Sequence, residues 1–73
     1  MDAQTITLHV NGAPRPVPPG LTVEALLAHL GRDPRLPGVA VAVGDRVVRR
    51  TEWARTPLSE GDRVEIVTAA QGG

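Results

Sequence analysis

The sequence predicts a small α+β domain in which a mixed sheet of four to five strands packs on one helix. Three observations predict it. Residues near both ends of the chain, Thr5 to Val10 and Arg63 to Thr68, are rich in β-branched side chains, with period-two alternation clearest in the first. Between them lies a single apolar stripe at helical spacing, Val23, Leu26, Leu27 and Leu30. Turn dipeptides of the hairpin kind, Asn11-Gly12 and Gly44-Asp45, mark two places where the chain reverses. With 73 residues there is room for one domain, and a chain of that size buries only roughly 60–70% of its unfolded surface. The core is therefore thin, and each large apolar side chain counts.

The first strand places Ile6, Leu8 and Val10 on one face and Thr5, Thr7 and His9 on the other. Asn11-Gly12 suits a type I′ turn, which needs positive φ at both central residues. The return strand is Ala13 to Val17. Its two-residue register sets Arg15 opposite Leu8, so either Arg15 reaches out to solvent at the rim of the sheet or the turn is longer than two residues. Pro14 and Pro16 cannot donate to a ladder, which confines this strand to an edge. Thr22 is a suitable helix N-cap and Glu24 a favourable first-turn charge. Gly31 followed by Pro34 ends the helix, giving a span of Val23 to Leu30. Arg32 to Gly38 is a loop.

Val39 to Val43 is the third strand, and Gly44-Asp45 fits a two-residue type II′ hairpin into a short strand at Arg46 to Arg49. Arg50 to Thr56, which carries the one tryptophan, is expected to be irregular or a single turn. Pro57-Leu58-Ser59-Glu60-Gly61-Asp62 has turn composition. Arg63 to Thr68 is the last strand. The order β-β-α-β-β-β with a right-handed crossover through the helix places the first and last strands centrally, side by side and parallel. That arrangement is the β-grasp, or ubiquitin-like, architecture, expected over residues 1–68. Residues 69–73, Ala69-Ala70-Gln71-Gly72-Gly73, are expected to be a flexible tail projecting from a central strand.

Composition excludes several function classes. Eight basic and eight acidic residues balance, which argues against an electrostatic nucleic-acid or membrane binder. No apolar run approaches a membrane span, and Met1-Asp2-Ala3-Gln4 lacks the form of a signal peptide, so a cytoplasmic location is expected. With no Cys the chain has neither a disulfide framework nor thiol chemistry. His9 and His29 lie far apart without Cys or carboxylate neighbours at ligand spacing, so no metal site is expected. No phosphate-cradling glycine loop is present, so the chain is not expected to bind ATP. Arg49-Arg50 reads as a solvated turn. All eight basic side chains are Arg, so no ε-amine is available for isopeptide formation.

What remains is the tail. A glycine lacks Cβ and reaches conformations closed to other residues, so Gln71-Gly72-Gly73 suits a narrow channel and the Gly73 carboxylate can be delivered to a partner's reacting site. Recognition then has to come from elsewhere. Val64 and Ile66 are expected to face the helix, leaving Val67 beside Arg63 and Glu65 on the open face of the sheet, with Ala40 and Ala42 nearby. This small apolar surface is the expected docking site. Trp53 reads as a core residue, with an interface role as the alternative.

The sequence resembles the ThiS family, the sulfur carriers of thiamine biosynthesis, over essentially its whole length. The residues that carry the resemblance are Val10-Asn11-Gly12, Gly20-Leu21-Thr22-Val23, Leu26-Leu27 and Val41-Ala42-Val43. More specific are Val48-Arg49-Arg50, Glu52-Trp53-Ala54, Pro57-Leu58, the run Glu60 to Val67, and the terminal Gln71-Gly72-Gly73. The resemblance implies that Gly73 is adenylated by a ThiF-type activating enzyme using ATP and Mg²⁺. The adenylate would then become a thiocarboxylate with sulfur from donor proteins, and thiazole synthase would take up that sulfur. It implies a substrate and carrier rather than an enzyme. The small subunit of molybdopterin synthase shares the fold and the Gly-Gly end but is less similar in the middle. A ubiquitin-like protein modifier and a plain interaction module with an inert tail are the alternatives from other classes.

Overall fold

The computed structural model describes residues 4–69. Strands β1 (Ile6–Val10), β2 (Ala13–Val17), β3 (Val39–Val43), β4 (Arg46–Val48) and β5 (Arg63–Thr68) form one sheet in the order β2-β1-β5-β3-β4. Among the described residues one α-helix, α1 (Val23–His29), and one 3-10 helix (Arg50–Arg55) accompany the sheet. The first and last strands are central and parallel, and every other pairing is antiparallel. The proline-bearing β2 lies at an edge, where its missing N–H groups cost no ladder bond. This is the β-grasp architecture expected from the element order.

Local chemistry accounts for the turns. Asn11 and Gly12 have φ of 53° and 86°, as a type I′ hairpin requires, and the register pairs Leu8 with Arg15. Of the two possibilities for Arg15 the first holds: the turn is tight, and Arg15 is exposed on an edge strand. Gly44 has φ 62° while Asp45 keeps negative φ, consistent with the type II′ turn. The Thr22 hydroxyl accepts from the Ala25 amide at 3.2 Å and caps α1. At the other end Arg32 N–H donates to Leu27 C=O and Gly31 N–H to Ala28 C=O, a Schellman motif with Gly31 at φ 82°. Leu30 is accordingly the cap rather than the last helical residue.

Three expectations are corrected. The segment with Trp53 is neither irregular nor a single turn but six residues of 3-10 helix, Arg50–Arg55, about two turns at three residues each. Leu58, which reads as part of a turn, is buried in the core. Its N–H donates to Leu21 C=O at 2.9 Å, and Val23 N–H donates to Thr56 C=O at 3.0 Å, so the segment after the 3-10 helix is stitched to the start of α1. These bonds turn a polar-looking stretch inward. The short fourth strand also stops at Val48, one residue before Arg49.

The core lies between α1 and one face of the sheet. Leu8, Val41 and Val64 from the central strands meet Val23, Leu26 and Leu27 from the helix, with Trp53 and Leu58 closing the side. Leu26 is fully buried, and truncating a buried leucine removes both transfer energy and packing. Leu26→Ala is expected to lower stability by about 2–5 kcal/mol. In urea this appears as a lower midpoint at unchanged slope; a loss near zero would mean that the helix is not packed as described.

Candidate functional site: the open sheet face and the end of the last strand

The alternation of β5 decides which of its side chains lie on the open face of the sheet. Val64 and Ile66 point into the core, whereas Arg63, Glu65 and Val67 are exposed. In the antiparallel register with β3, Ala40 sits opposite Val67 and Ala42 opposite Glu65. The expected docking residues Val67, Ala40 and Ala42 are therefore neighbours on the open face. A residue not anticipated joins them. Val47 on β4 pairs with Ala42, and together they line a shallow apolar depression with Val41, Glu65 and Val67. Val47 is 77% exposed and Val67 60% exposed. The two-residue turn at Gly44-Asp45 already fixes Val47 opposite Ala42, so the signal was present in the hairpin register.

Trp53 is not part of this surface. It is 3% exposed and belongs to the core cluster, so its side chain is not available for docking. Its indole N–H donates to Val48 C=O at 2.9 Å, which satisfies the one polar group that its burial would strand. The guanidinium of Arg50 stacks over the indole with 4.4 Å to the ring centroid. Arg50 also donates to Pro34 C=O and, at 2.7 Å, to Leu36 C=O. The Arg49-Arg50 pair is exposed, as a solvated turn would be, but Arg50 is engaged: it ties the loop between α1 and β3 to the 3-10 helix.

That loop holds the end of the last strand. Gly38 C=O accepts from Ala69 N–H at 2.7 Å, and Arg32 donates from its guanidinium to the Thr68 hydroxyl at 3.0 Å. Within the loop Arg35 grips Asp33 with Nε and Nη2 on its two carboxylate oxygens, at 3.0 and 3.1 Å, while the Arg35 amide donates to the same carboxylate. These bonds hold the Asp33 carboxyl below its ordinary range. Anchoring by backbone hydrogen bonds thus continues to Ala69, one residue beyond the strand. Gln71, Gly72 and Gly73, the sequence-derived site of modification, lie outside the described residues. His9 is exposed on the open face of β1 and His29 is exposed in the last turn of α1. Among the described residues no group of three His, Asp or Glu is placed to hold a metal, and no helix is long and apolar enough to cross a membrane.

Comparison with known proteins decides the family. A family model described as the ThiS family matches residues 8–73. The chain belongs to the ThiS family. It is 39% identical over 64 residues to a protein named sulfur carrier protein ThiS from Thermus thermophilus, covering 88% of this chain and 95% of that one. To the sulfur carrier protein ThiS of Escherichia coli it is 35% identical over 54 residues, 74% of this chain and 79% of the relative. A thiazole synthase of Paramagnetospirillum magneticum contains a similar segment, 39% identical over 66 residues; this spans 90% of the present chain but only 20% of that protein. Among solved structures, a ThiS from Geobacter metallireducens superposes with a TM-score of 0.78 at 31% identity, covering 93% of this chain and all of the other.

The burial of Trp53 yields a prediction. Trp53→Phe keeps an aromatic ring but removes the N–H, leaving the Val48 carbonyl without that partner. A stability loss of about 1–3 kcal/mol is expected, read by chemical denaturation, with affinity for partner proteins unchanged in the folded fraction. Unchanged stability together with weakened partner binding would place Trp53 at an interface instead.

Proposed function

We infer that this ThiS-family chain is a sulfur carrier protein of thiamine biosynthesis that works through the carboxylate of Gly73. The observation that carries the reading is the family match over residues 8–73, which runs through the Gly72-Gly73 pair. Two curated relatives named sulfur carrier protein ThiS support it, one of them aligned over nearly its full length. A carboxylate is a poor electrophile. Joining it to AMP, with release of pyrophosphate from ATP, supplies a leaving group that a sulfur nucleophile can displace to give a thiocarboxylate.

On this reading the chain is a substrate and carrier. A ThiF-type enzyme supplies the ATP site, the Mg²⁺ and the adenylation chemistry, and donor proteins supply the sulfur. Thiazole synthase consumes the thiocarboxylate, a pairing favoured by the similar segment found inside a protein of that name. The setting is cytoplasmic. Partners grip the open face at Val67, Val47, Ala40 and Ala42, because two glycines offer no side chain for recognition, while Gln71 and Gly72 thread the channel that leads Gly73 to the reacting site. The lack of Lys in a chain whose basic residues are all Arg suits a protein that becomes an activated acyl group, since no ε-amine of its own competes for the adenylate.

Reach and docking separate experimentally. Gly72→Val places a β-branched side chain beside the reacting carboxyl, and a misplacement of about 1 Å can cost on the order of 100-fold in rate. It is expected to leave Kd for the activating enzyme near wild type and to cut pyrophosphate release by about that factor. Val67→Arg should do the opposite, raising Kd by about tenfold, equivalent to about 1.4 kcal/mol, at an unchanged melting temperature. Calorimetric binding and a pyrophosphate assay read the two quantities. Full turnover by Gly72→Val would contradict threading, and unchanged affinity of Val67→Arg would remove the open face from the docking surface.

A further inference from the structure

The parallel pairing of β1 with β5 is short. It covers His9↔Arg63 and Val10↔Val64, because β1 turns away at Asn11-Gly12 while β5 runs on to Thr68. Backbone bonds accompany it at His9 N–H to Asp62 C=O and Asn11 N–H to Val64 C=O, each 2.9 Å. Past Val64 the next two partners in a parallel ladder would be an acceptor for Ile66 N–H and a donor for Ile66 C=O, both from a continuing β1. The Asn11 side chain supplies both. Its Oδ1 accepts from Ile66 N–H at 2.8 Å and its Nδ2 donates to Ile66 C=O at 3.2 Å. One side-chain amide replaces the missing stretch of strand.

The other edge of this segment is held by β3, through Val41↔Ile66, Ala40↔Val67 and Val39↔Thr68, and by the bond from Ala69 N–H to Gly38 C=O. Asn11 is thus the ladder partner of Ile66 on the β1 side, seven residues before Gly73. Few residues combine what this position needs. The backbone has φ 53°, a region where Asn is tolerated better than most non-glycine residues. The side chain must also offer a donor and an acceptor on one plane, which Asn does and Asp does not.

We propose that Asn11 is a positioning residue for the reacting carboxyl group: by clasping Ile66 it fixes the direction in which the chain leaves the sheet toward Gly73. The proposal rests on the carrier reading above and adds to it a device in the fold, far from the terminus in sequence, that sets the rate of its activation. Asn11 does not touch the carboxylate. It acts through β5, so its loss should lower kcat for adenylation and leave KM, set by the open face, unchanged.

The test compares wild type with Asn11→Gly and Asn11→Asp in the full chain. Gly accepts the positive φ and removes both bonds. Asp keeps the acceptor and lacks the donor. Amide hydrogen exchange followed by NMR should be about fivefold to tenfold faster at Ile66 in Asn11→Gly, the factor for one lost backbone partner, with Val64 exchange unchanged. Pyrophosphate release by a ThiF-type enzyme should show kcat falling by about tenfold or more in Asn11→Gly, with Asn11→Asp in between and KM constant throughout. Unaltered Ile66 exchange, or an unaltered kcat in Asn11→Gly alongside faster exchange, would overturn the positioning role. A fall in kcat that matches the unfolded fraction calculated from melting curves would overturn it equally. Wild-type protein that releases no pyrophosphate would instead bring down the carrier reading itself, which keeps the two failures apart.

Discussion

The central strand β5 is bonded on both edges, by β1 on one side and β3 on the other, and this double pairing fixes which of its side chains enter the core. A strand paired on both edges is insulated from slippage by its period of two, since a one-residue shift would put Glu65 in the core and Ile66 in solvent. The registers that flank it place Val64 under the helix and Val67 beside Ala40. One strand therefore divides its side chains between the core on one face and, on the other, the open surface proposed for docking.

A second layer supports this from the helical side. Trp53 is a large share of a thin core, and its N–H bond to Val48 ties the 3-10 helix to β4. Arg50 stacks on its ring and reaches across to the loop carbonyls of Pro34 and Leu36. The same loop carries Arg32 and Gly38, which hold Thr68 and Ala69. A contact chain thus runs from the one aromatic side chain to the end of the last strand.

Much of the fold was legible in the sequence because short-range signals and long-range needs agreed. Asn11-Gly12, Gly44-Asp45 and Gly31 each specify a backbone conformation, and the structure contains all three as expected. The prolines of β2 marked an edge and the strand patterns marked the centre. What was missed depended on contacts between distant segments. Leu58 sits among turn residues yet is buried, its own N–H bonded to the carbonyl of Leu21; nothing within a few residues of it says so. The 3-10 helix likewise carries Trp53 into the core, where its neighbours come from distant segments. Arg50 looked like half of a solvated pair, and its role depends on a loop sixteen residues earlier. On the candidate site, Val67, Ala40 and Ala42 followed from alternation alone. Val47 was within reach of the hairpin register, whereas the second use of Asn11, beyond its turn, needed the side-chain geometry.

On the proposed reading, function resides in one terminal carboxyl group presented by an otherwise unreactive domain. Its most direct measurement is the intact mass of the protein co-expressed with its activating enzyme and sulfur donors, followed by fragmentation of the C-terminal peptide. The expected result is a mass increase equal to the replacement of one oxygen by sulfur, confined to Gly73. An unmodified terminus under conditions that convert another ThiS-family carrier to its thiocarboxylate would contradict it.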